Sequence, residues 1–300
     1  PPGVTISERE LIQPVELVGA AKLTGQSGKL RYGVLTAFED DVKFEASVAG
    51  NPVNLEGDGS DYAIARIIYE DSSNGSYRAV GLLSTAVVHP DRDAITHGVD
   101  GHYLSHDGKW KVDGQVFMSH IDGIDNGLGG FVDFEYTPRQ GITQRLGIEY
   151  LDETVDINDL GFLERNDNFR IRSAHVRTSS NLSWARDNQF DVRGYIQKNS
   201  DDYLTGAAIF FSNRTTFENL TRLTLRAGYF PKYYDDLNSF GNGTYRLERR
   251  FDAAAKWGSN SSKIFSYGFS VGFKEEDLGG DTYLGSINLA WRPSDQFGVS

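Results

Sequence analysis

Residues 263–273 read KIFSYGFSVGF, and this stretch decides the fold class. Phe265, Tyr267 and Phe269 fall on one side of an extended chain. The residues between them are small or polar, beginning with Ser266. Alternation with a period of two predicts a β-strand that has one apolar and one polar face.

The same alternation recurs in residues 110–118, 220–229 and 245–257. In each stretch charged residues share one side of the predicted strand, and apolar residues dominate the other side. Arg249 is an exception, because it falls on the apolar side of the third stretch. The repeated division predicts a sheet with one apolar face and one charged face.

Short turns rich in Gly, Asn, Asp and Ser separate the predicted strands, as at Asp107-Gly108 and Asn242-Gly243. Connections this short favour an up-and-down antiparallel meander over parallel strands joined by helices. The chain shows about sixteen candidate strands, at 14–24, 28–39, 41–49, 60–70, 75–88, 95–106, 109–121, 127–137, 142–152, 168–180, 189–199, 203–213, 219–231, 243–257, 262–273 and 280–292.

Composition fits a membrane barrel. The 300 residues are 39% hydrophobic, with a mean hydropathy of −0.43, and a barrel that alternates lipid-facing and lumen-facing residues is polar on average. Tyr62, Tyr69, Trp110 and Trp291 lie near predicted strand ends, as in the aromatic girdles of such barrels. We therefore predict an all-β fold, a transmembrane up-and-down antiparallel β-barrel of about 16 strands, with more strands allowed in the intact protein. A soluble β-sandwich or propeller is the alternative.

Composition also excludes several classes of function. The chain has no cysteine, which excludes zinc fingers, thiol catalysis and disulfide scaffolds. Its formal net charge is −12, and its basic residues are scattered among acidic ones. Because phosphate binding needs clustered Lys and Arg, we expect no nucleic-acid partner.

Three segments carry a family resemblance: LVGAAKLTG at residues 17–25, KLRYGVL at 29–35 and NDLGFLERND at 158–167. They resemble a family of largely uncharacterised bacterial outer-membrane proteins, in which a periplasmic domain similar to carbohydrate-binding family 9 precedes a barrel domain of unknown function. The resemblance covers the barrel domain over essentially the whole chain. It implies the outer membrane of a Gram-negative bacterium, contact with membrane lipids and lipopolysaccharide, and glycan binding through the preceding domain.

The chain departs from the family pattern at both ends. It lacks the sugar-binding domain, and residues 297–300 are not the aromatic-terminated last strand that outer-membrane barrels usually carry. We expect residues 1–13 to be a linker or plug-like segment, and residues 14–300 to be a barrel domain that is incomplete at its C-terminus. The chain is thus expected to be part of a longer protein.

The charged sides of the strands are predicted to face the lumen. Charges of both signs indicate salt-bridged or hydrated walls. The predicted lumen-lining charges are Lys22, Lys111, Asp113, Arg222, Arg226, Arg246, Glu248, Arg250, Asp252 and Lys256.

The segment at residues 158–167 is predicted to be an ordered connecting loop. Gly161 is expected to adopt a positive φ, and Leu160, Phe162 and Leu163 are expected to pack the loop onto the barrel.

Metal ligands are sought among histidines and acidic turns. On one strand His102 and His106 would lie about 13 Å apart, too far for one ion, although His120 could approach them across a hairpin. Asp122 and Asp125 lie in an acidic turn that loosely resembles a calcium loop. A solvated turn and unliganded histidines are favoured, so we expect no metal or cofactor, with calcium at acidic loops as the alternative.

No catalytic residues are predicted, because the one G-x-S-x-G string, at residues 268–272, lies inside a predicted strand and not in a strand-to-helix elbow, and the chain has no other catalytic signature. The predicted function is an outer-membrane pore or anchor that works with the periplasmic carbohydrate-binding domain in glycan binding or uptake. One alternative is the barrel part of an outer-membrane hydrolase that acts on polysaccharide or lipid, with Ser and His on adjacent strands. The other is a soluble β-rich binding protein.

Overall fold

The computed structural model describes residues 4–7, 15–48, 51–238, 242–276, 279–294 and 297–299. Within these ranges there is no helix, and therefore none long and apolar enough to cross a membrane. The strands are β1 Val4–Ile6, β2 Leu17–Ser27, β3 Leu30–Glu39, β4 Val42–Val48, β5 Asn51–Gly57, β6 Asp61–Asp71, β7 Tyr77–Val88, β8 Ala94–Leu104, β9 Trp110–Ile121, β10 Gly127–Arg139, β11 Ile142–Leu151, β12 Asn168–Ser180, β13 Asp187–Lys198, β14 Leu204–Thr216, β15 Arg222–Phe230, β16 Tyr233–Asp235, β17 Tyr245–Leu247, β18 Arg250–Gly258, β19 Phe265–Glu275, β20 Asp281–Ser294 and β21 Phe297–Val299.

Most of these strands form one antiparallel sheet of 16 strands that follow one another in chain order. Its order is β2-β3-β6-β7-β8-β9-β10-β11-β12-β13-β14-β15-β18-β19-β20-β21. A three-stranded sheet, β1-β4-β5, and the pair β16-β17 stand apart from it. The predicted all-β fold with about sixteen antiparallel strands is confirmed.

The strand count agrees because two differences cancel. The segment predicted at 41–49 is β4, which pairs with β5 from Val42↔Gly57 to Val48↔Asn51 instead of joining the large sheet. β3 pairs directly with β6, from Leu30↔Tyr69 to Phe38↔Asp61, so β4 and β5 form a side hairpin between two neighbouring strands. β21, which was not predicted, supplies the sixteenth strand. Of the predicted linker 1–13, Val4–Ile6 pairs with β4, and residues 1–3 and 8–13 lie outside the described ranges.

The predicted strand 243–257 is divided in two. Tyr245–Leu247 pairs with β16, and β18 begins only at Arg250. The break falls at the position where Arg249 interrupts the apolar side of the sequence pattern. An arginine on that side would lie among exposed apolar groups, which explains why the large sheet does not include it.

By internal contacts the chain divides into two compact units. Unit 1 comprises Pro1–Tyr103, Asp113–Gly130 and Leu151–Asn166. Unit 2 comprises Leu104–Val112, Phe131–Tyr150 and Asp167–Ser300.

In unit 1 the two faces of the sheet differ sharply. The apolar face carries Val34, Ile67, Leu82, Val99 and Val116, whose exposed fractions lie between 39% and 60%. The polar face of unit 1 carries the side chains of the opposite parity, which are mostly buried or half-buried. A small cluster of Val87, Ala94 and Ile121, with Tyr62 against it, is the apolar core of this unit. Tyr62 therefore packs inward and does not join an aromatic girdle.

Unit 2 has the same division. Its apolar face carries Leu225, Tyr229, Phe251, Phe269 and Val271, with exposed fractions between 38% and 57%. Strand register keeps them together, because Tyr229 lies opposite Phe251. The opposite parity forms the polar face of unit 2.

Candidate functional site: the polar face of unit 1 and its covering loop

A chain of charged side chains crosses three strands on the polar face of unit 1. Both terminal nitrogens of Arg66 on β6 donate to the carboxylate of Asp100 on β8, and the Nη2–Oδ2 distance is 2.7 Å. The Asp100 side chain is only 7% exposed, and that of Arg66 is 28% exposed. This bidentate geometry is the strongest form of an arginine–carboxylate pair.

His102 continues the chain toward β9. Its Nε2 lies 2.9 Å from Oδ2 of Asp100, and its Nδ1 lies 2.7 Å from Oδ1 of Asp113. An ionised carboxylate only accepts hydrogen bonds, so each ring nitrogen must donate and the imidazole carries both protons. Two cations and two carboxylates thus alternate across the face.

Gly81 on β7 makes this approach possible. A Cβ at this position would lie 2.6 Å from Arg66 Nη2 and 2.7 Å from Asp100 Oδ2. Any side chain larger than hydrogen would displace the ion pair. The glycine is required by close contact here, since its φ is not positive.

Residues 152–166 form a loop that covers part of the same face. Asp152 fixes its start, because Oδ1 accepts from the amides of Thr154 at 3.1 Å and Val155 at 2.9 Å. Val155 is 1% exposed and is the apolar anchor of the loop. The Asp156 amide then donates to Oγ of Ser119, at 3.1 Å, a residue that is 2% exposed on β9.

The far end of the loop is held by an ion pair. Arg92 lies in the turn between β7 and β8, and its Nη2 is 2.9 Å from Oδ1 of Asp159. The hydrogen bond to Asp159 and the charge of that carboxylate raise the pKa of the Arg92 guanidinium above its usual range. Within the loop, Asn158 Oδ1 accepts from the Leu163 amide at 2.7 Å. Both interactions turn the chain back over the face.

A hollow of about 220 Å³ remains between the loop and the strands. Thr85, Thr96 and Gln115 border it on the strand side, and Asp156 and Asp159 border it on the loop side. Oδ2 of Asp159 is buried and has no hydrogen-bond partner among the described residues. The other eight residues that border the hollow are apolar or glycine, so it is a mainly apolar pocket with a few polar groups.

The structure has the predicted connecting loop, and Leu160 borders the hollow as its expected packing requires, whereas the expected packing of Phe162 was wrong. Phe162 is 84% exposed, so it does not tuck the loop onto the strands. Gly161 does not have a positive φ; its Cβ position would instead lie 2.8 Å from the Ile157 carbonyl oxygen. The anchor Val155 was missed. A signal for it was present in Asp152-x-Thr154, since Asp and Thr favour such local turns.

The predicted lumen-lining charges mostly share the polar faces. In unit 1, Lys22 lies opposite Leu35 and so falls on the side of Arg66, and Asp113 holds His102. Lys111 has the parity of Asp113 on β9. In unit 2 the residues with the polar parity are Arg222, Arg226, Arg250, Asp252 and Lys256.

Arg246 and Glu248 are exceptions, and their placement was wrong at the level of the strand. Arg246 lies on β17 in the side pair, opposite Tyr234. Glu248 follows that strand and forms an ion pair with Lys232 at 2.6 Å. The break at Arg249 removed both residues from the large sheet.

The candidate metal ligands are not brought together. His102 is occupied by two carboxylates, His106 lies in the turn after β8, and His120 Nδ1 contacts Asn126 Oδ1 at 2.7 Å. In the acidic turn, Asp122 lies 3.8 Å from His120, and Asp125 follows it. Across the described ranges no group of three or more His, Asp or Glu side chains is placed to hold a metal ion.

A further polar contact lies on the apolar face of unit 1. Oγ of Ser84 on β7 lies 2.9 Å from Nδ1 of His97 on β8. Both border a hollow of about 640 Å³, whose other walls are mainly apolar and include Ile67, Val99 and Val116. A hydroxyl–imidazole pair in apolar surroundings is a possible nucleophile with its base.

Comparison with known proteins gives a family and distant solved structures. No curated protein matches the chain. A solved bacterial polysaccharide outer membrane secretin is 10% identical, with a TM-score of 0.34, over 90% of this chain and 94% of that chain. A mutant of the Rh. blastica porin is 8% identical, with a TM-score of 0.29, over 90% of this chain and 99% of that chain. Neither score supports an argument.

A family model described as "Domain of unknown function (DUF5916)" matches residues 6–300. The match spans both units and the covering loop. The chain therefore belongs to the DUF5916 family.

Proposed function

We propose that the chain is the membrane-embedded β-barrel of an outer-membrane protein, with its polar faces lining the interior. One observation carries the proposal: large apolar side chains are exposed on one face of the sheet in both units, whereas only eleven of the described hydrophobic residues are buried and six of these are alanines. In water, a continuous apolar surface of this extent would drive aggregation. In a bilayer it faces lipid, and the charged side faces the lumen.

The covering loop affects the width of the interior. Residues 152–166 lie against the polar face of unit 1, with a hollow of about 220 Å³ beside Asp159. A loop in this position narrows the passage along that face. The chain then acts as a gated pore or as an anchor, and the periplasmic carbohydrate-binding domain implied by the family resemblance makes a glycan the solute to test.

The membrane assignment is tested by placing a charge on the apolar face. Val116→Lys, at a residue that is 60% exposed, is expected to weaken insertion into lipid vesicles by about 2–4 kcal/mol. Ile124→Lys is the control, because this 45% exposed residue lies in the turn after β9. Insertion is followed by the shift in gel migration between the unheated, folded protein and the heated, unfolded protein. If the two variants insert equally well into vesicles, the apolar face does not contact lipid.

The pore is tested separately by conductance in planar bilayers. Arg92→Gln removes the partner of Asp159 and is expected to raise the conductance or its fluctuations as the loop loosens. Full-length protein is then offered neutral and acidic oligosaccharides. If inserted wild-type protein carries no current, the pore hypothesis is ruled out and the anchor hypothesis is kept.

A second candidate function rests on the Ser84–His97 contact. If this pair meets lipid, Ser84 Oγ can attack an ester carbonyl while His97 accepts the hydroxyl proton. The fatty acyl group would then be held on Ser84, the lysolipid alcohol would leave with the proton from His97, and water would release the acid. The chain would be a lipid hydrolase.

Phospholipid vesicles that contain the inserted protein provide the test. Release of fatty acid by the wild-type protein, lost in Ser84→Ala and kept in Ser173→Ala, supports the hydrolase. Ser173 is an exposed residue on β12 and serves as the matched control. Wild-type protein that releases no fatty acid rules this candidate out.

A further inference from the structure

Four cations surround one threonine on the polar face of unit 2. Register places Arg214 on β14 directly opposite Thr224 on β15, and Lys256 on β18 opposite Thr224 from the other side. Arg222 and Arg226 lie two residues before and after Thr224 on the same strand. Opposite and alternate residues share a face, so all four side chains leave the sheet on the same side.

Strand geometry sets the spacing of this basic cross, defined as Arg214, Arg222, Arg226 and Lys256. Arg222 and Arg226 each lie about 7 Å from Thr224 at Cα, so they are about 13 Å apart, and the two flanking strands place Arg214 and Lys256 about 10 Å apart. The central residue is short, which leaves room above it. Like charges at these separations repel each other unless an anion lies between them.

The cross lines a hollow of about 560 Å³. The described lining contains these four cations and no carboxylate, and Ser259, Ser261 and Ser270 add hydroxyl groups. None of the four cations forms an ion pair within the described ranges. This differs from the chain as a whole, whose formal net charge is −12.

The nearest carboxylates by register do not neutralise the cross. Asp191 is held by Arg193 on its own strand, at 2.7 Å. Asp252 lies opposite Gly228, and Asp187 lies opposite Thr216. None of the three borders the hollow.

A strained turn closes one end of the hollow. Leu220 borders it and has a φ of 64°, a left-handed conformation that is rare for a leucine. The turn is fixed because the Leu220 amide donates to the Phe217 carbonyl at 2.9 Å, and the Thr221 hydroxyl donates to Asn219 Oδ1 at 2.8 Å. An ordered turn at this edge makes the hollow a defined recess.

We propose that the basic cross is a binding site for a solute that carries two or more oxyanion groups. Three guanidinium groups offer planar pairs of donors that match carboxylate or phosphate oxygens, and Lys256 adds a point charge. The spread of about 10 to 13 Å exceeds the size of one phosphate, which favours repeated charges along one molecule. The site goes beyond the proposed membrane function, and it exists on the sheet whether or not the passage conducts.

Calorimetric titration of the folded chain in neutral detergent tests the proposal. Tripolyphosphate and trigalacturonate represent phosphate and carboxylate sources, and maltotriose is the uncharged probe. We expect at least one of the two anions to bind at low salt, with an affinity that falls steeply as salt is added, and maltotriose not to bind. The anion that binds more tightly identifies the source.

Variants locate the site. Arg222→Gln, Arg226→Gln and Lys256→Gln are each expected to weaken binding about 3- to 10-fold, whereas Arg226→Lys stays within about 3-fold of wild type. Arg193→Gln is the control, because it removes a cation from the same face but outside the hollow. Folding of each variant is checked by heat-modifiable migration.

Two results overturn the proposal: folded wild-type protein that binds neither anion, or an Arg193→Gln variant that weakens binding as much as Arg226→Gln. Failure of the membrane assignment is distinct, since it is read from insertion of Val116→Lys and leaves the titration unchanged.

Discussion

The polar faces of the two units solve the same electrostatic problem in opposite ways. In unit 1, Arg66, Asp100, His102 and Asp113 alternate in sign and satisfy one another. In unit 2 the basic cross around Thr224 has no carboxylate in its hollow. The first arrangement is complete in the chain itself, and the second needs a counter-charge from outside.

The difference distinguishes charges that stabilise the fold from charges that are available to an external partner. Burial makes unpaired charges costly, and Asp100 is only 7% exposed, so its partners must come from the protein. The cations of the cross are exposed and hydrated, so they tolerate the absence of a partner. Removal of a member of the first arrangement should therefore lower stability, whereas removal of a cation of the cross should leave it unchanged or raise it.

The largest effect is expected from Asp100→Ala. It leaves Arg66 and His102 without their shared carboxylate, and breaking a largely buried pair costs about 3–5 kcal/mol. Unfolding of the vesicle-inserted protein in urea measures the loss. The control is Glu56→Gln, whose contact with Lys43 at 3.6 Å is between side chains that are 74% and 75% exposed. A similar loss in both variants would show that the network is no stronger than a surface pair.

Gly81→Ala tests the close approach in the same network. The added methyl group would push Arg66 from Asp100, at a cost of about 1–3 kcal/mol. Gly285→Ala is the control, because no atom lies within 4 Å of the Cβ position there. If the cost arises from the ion pair, Gly81→Ala should add little in a chain that already carries Asp100→Ala. Additive losses in the double variant would contradict this explanation.

Ser119→Ala tests the attachment of the covering loop to unit 1. The Asp156 amide loses its acceptor in a buried position, which costs about 1–2 kcal/mol. Hydrogen exchange at that amide should accelerate, whereas the exposed Ser173→Ala leaves exchange there unchanged. Unaltered exchange in Ser119→Ala would mean that Val155 and the Arg92–Asp159 ion pair hold the loop without this hydrogen bond.

How far the sequence predicts these regions depends on the range of each interaction. Alternation is local, so the strands containing Arg222 and Phe265 were predicted from their own residues, and even the break at Arg249 left a local signal. The Arg66–Asp100 pair was not predicted, because the two residues are 34 positions apart and only register brings them together.

The same limit explains the mixed result for the charges. Arg222, Arg226 and Lys256 were assigned to one face correctly from parity. Their arrangement around Thr224 and the absence of carboxylates in the hollow depend on which strands are neighbours. Phe162 was misplaced for a related reason: its hydrophobicity suggested burial, but Val155 already fills the anchoring position.

The smallest expected effect is a gain in stability in unit 2, opposite in sign to the losses predicted for unit 1. Lys256→Gln removes one of four like charges and is expected to stabilise the unliganded chain by about 0.3–0.5 kcal/mol at low salt. The gain should vanish near 1 M salt, where the screening length falls to about 3 Å. Urea unfolding at both salt concentrations measures this gain in stability. Arg193→Gln is the control, and it is expected to destabilise the chain because Asp191 loses its ion-pair partner. A loss of stability in Lys256→Gln would mean that the cross is neutralised within the protein, as in unit 1. A gain, together with weaker anion binding, would show that unit 2 keeps an unfavourable charge cluster because it binds an anion.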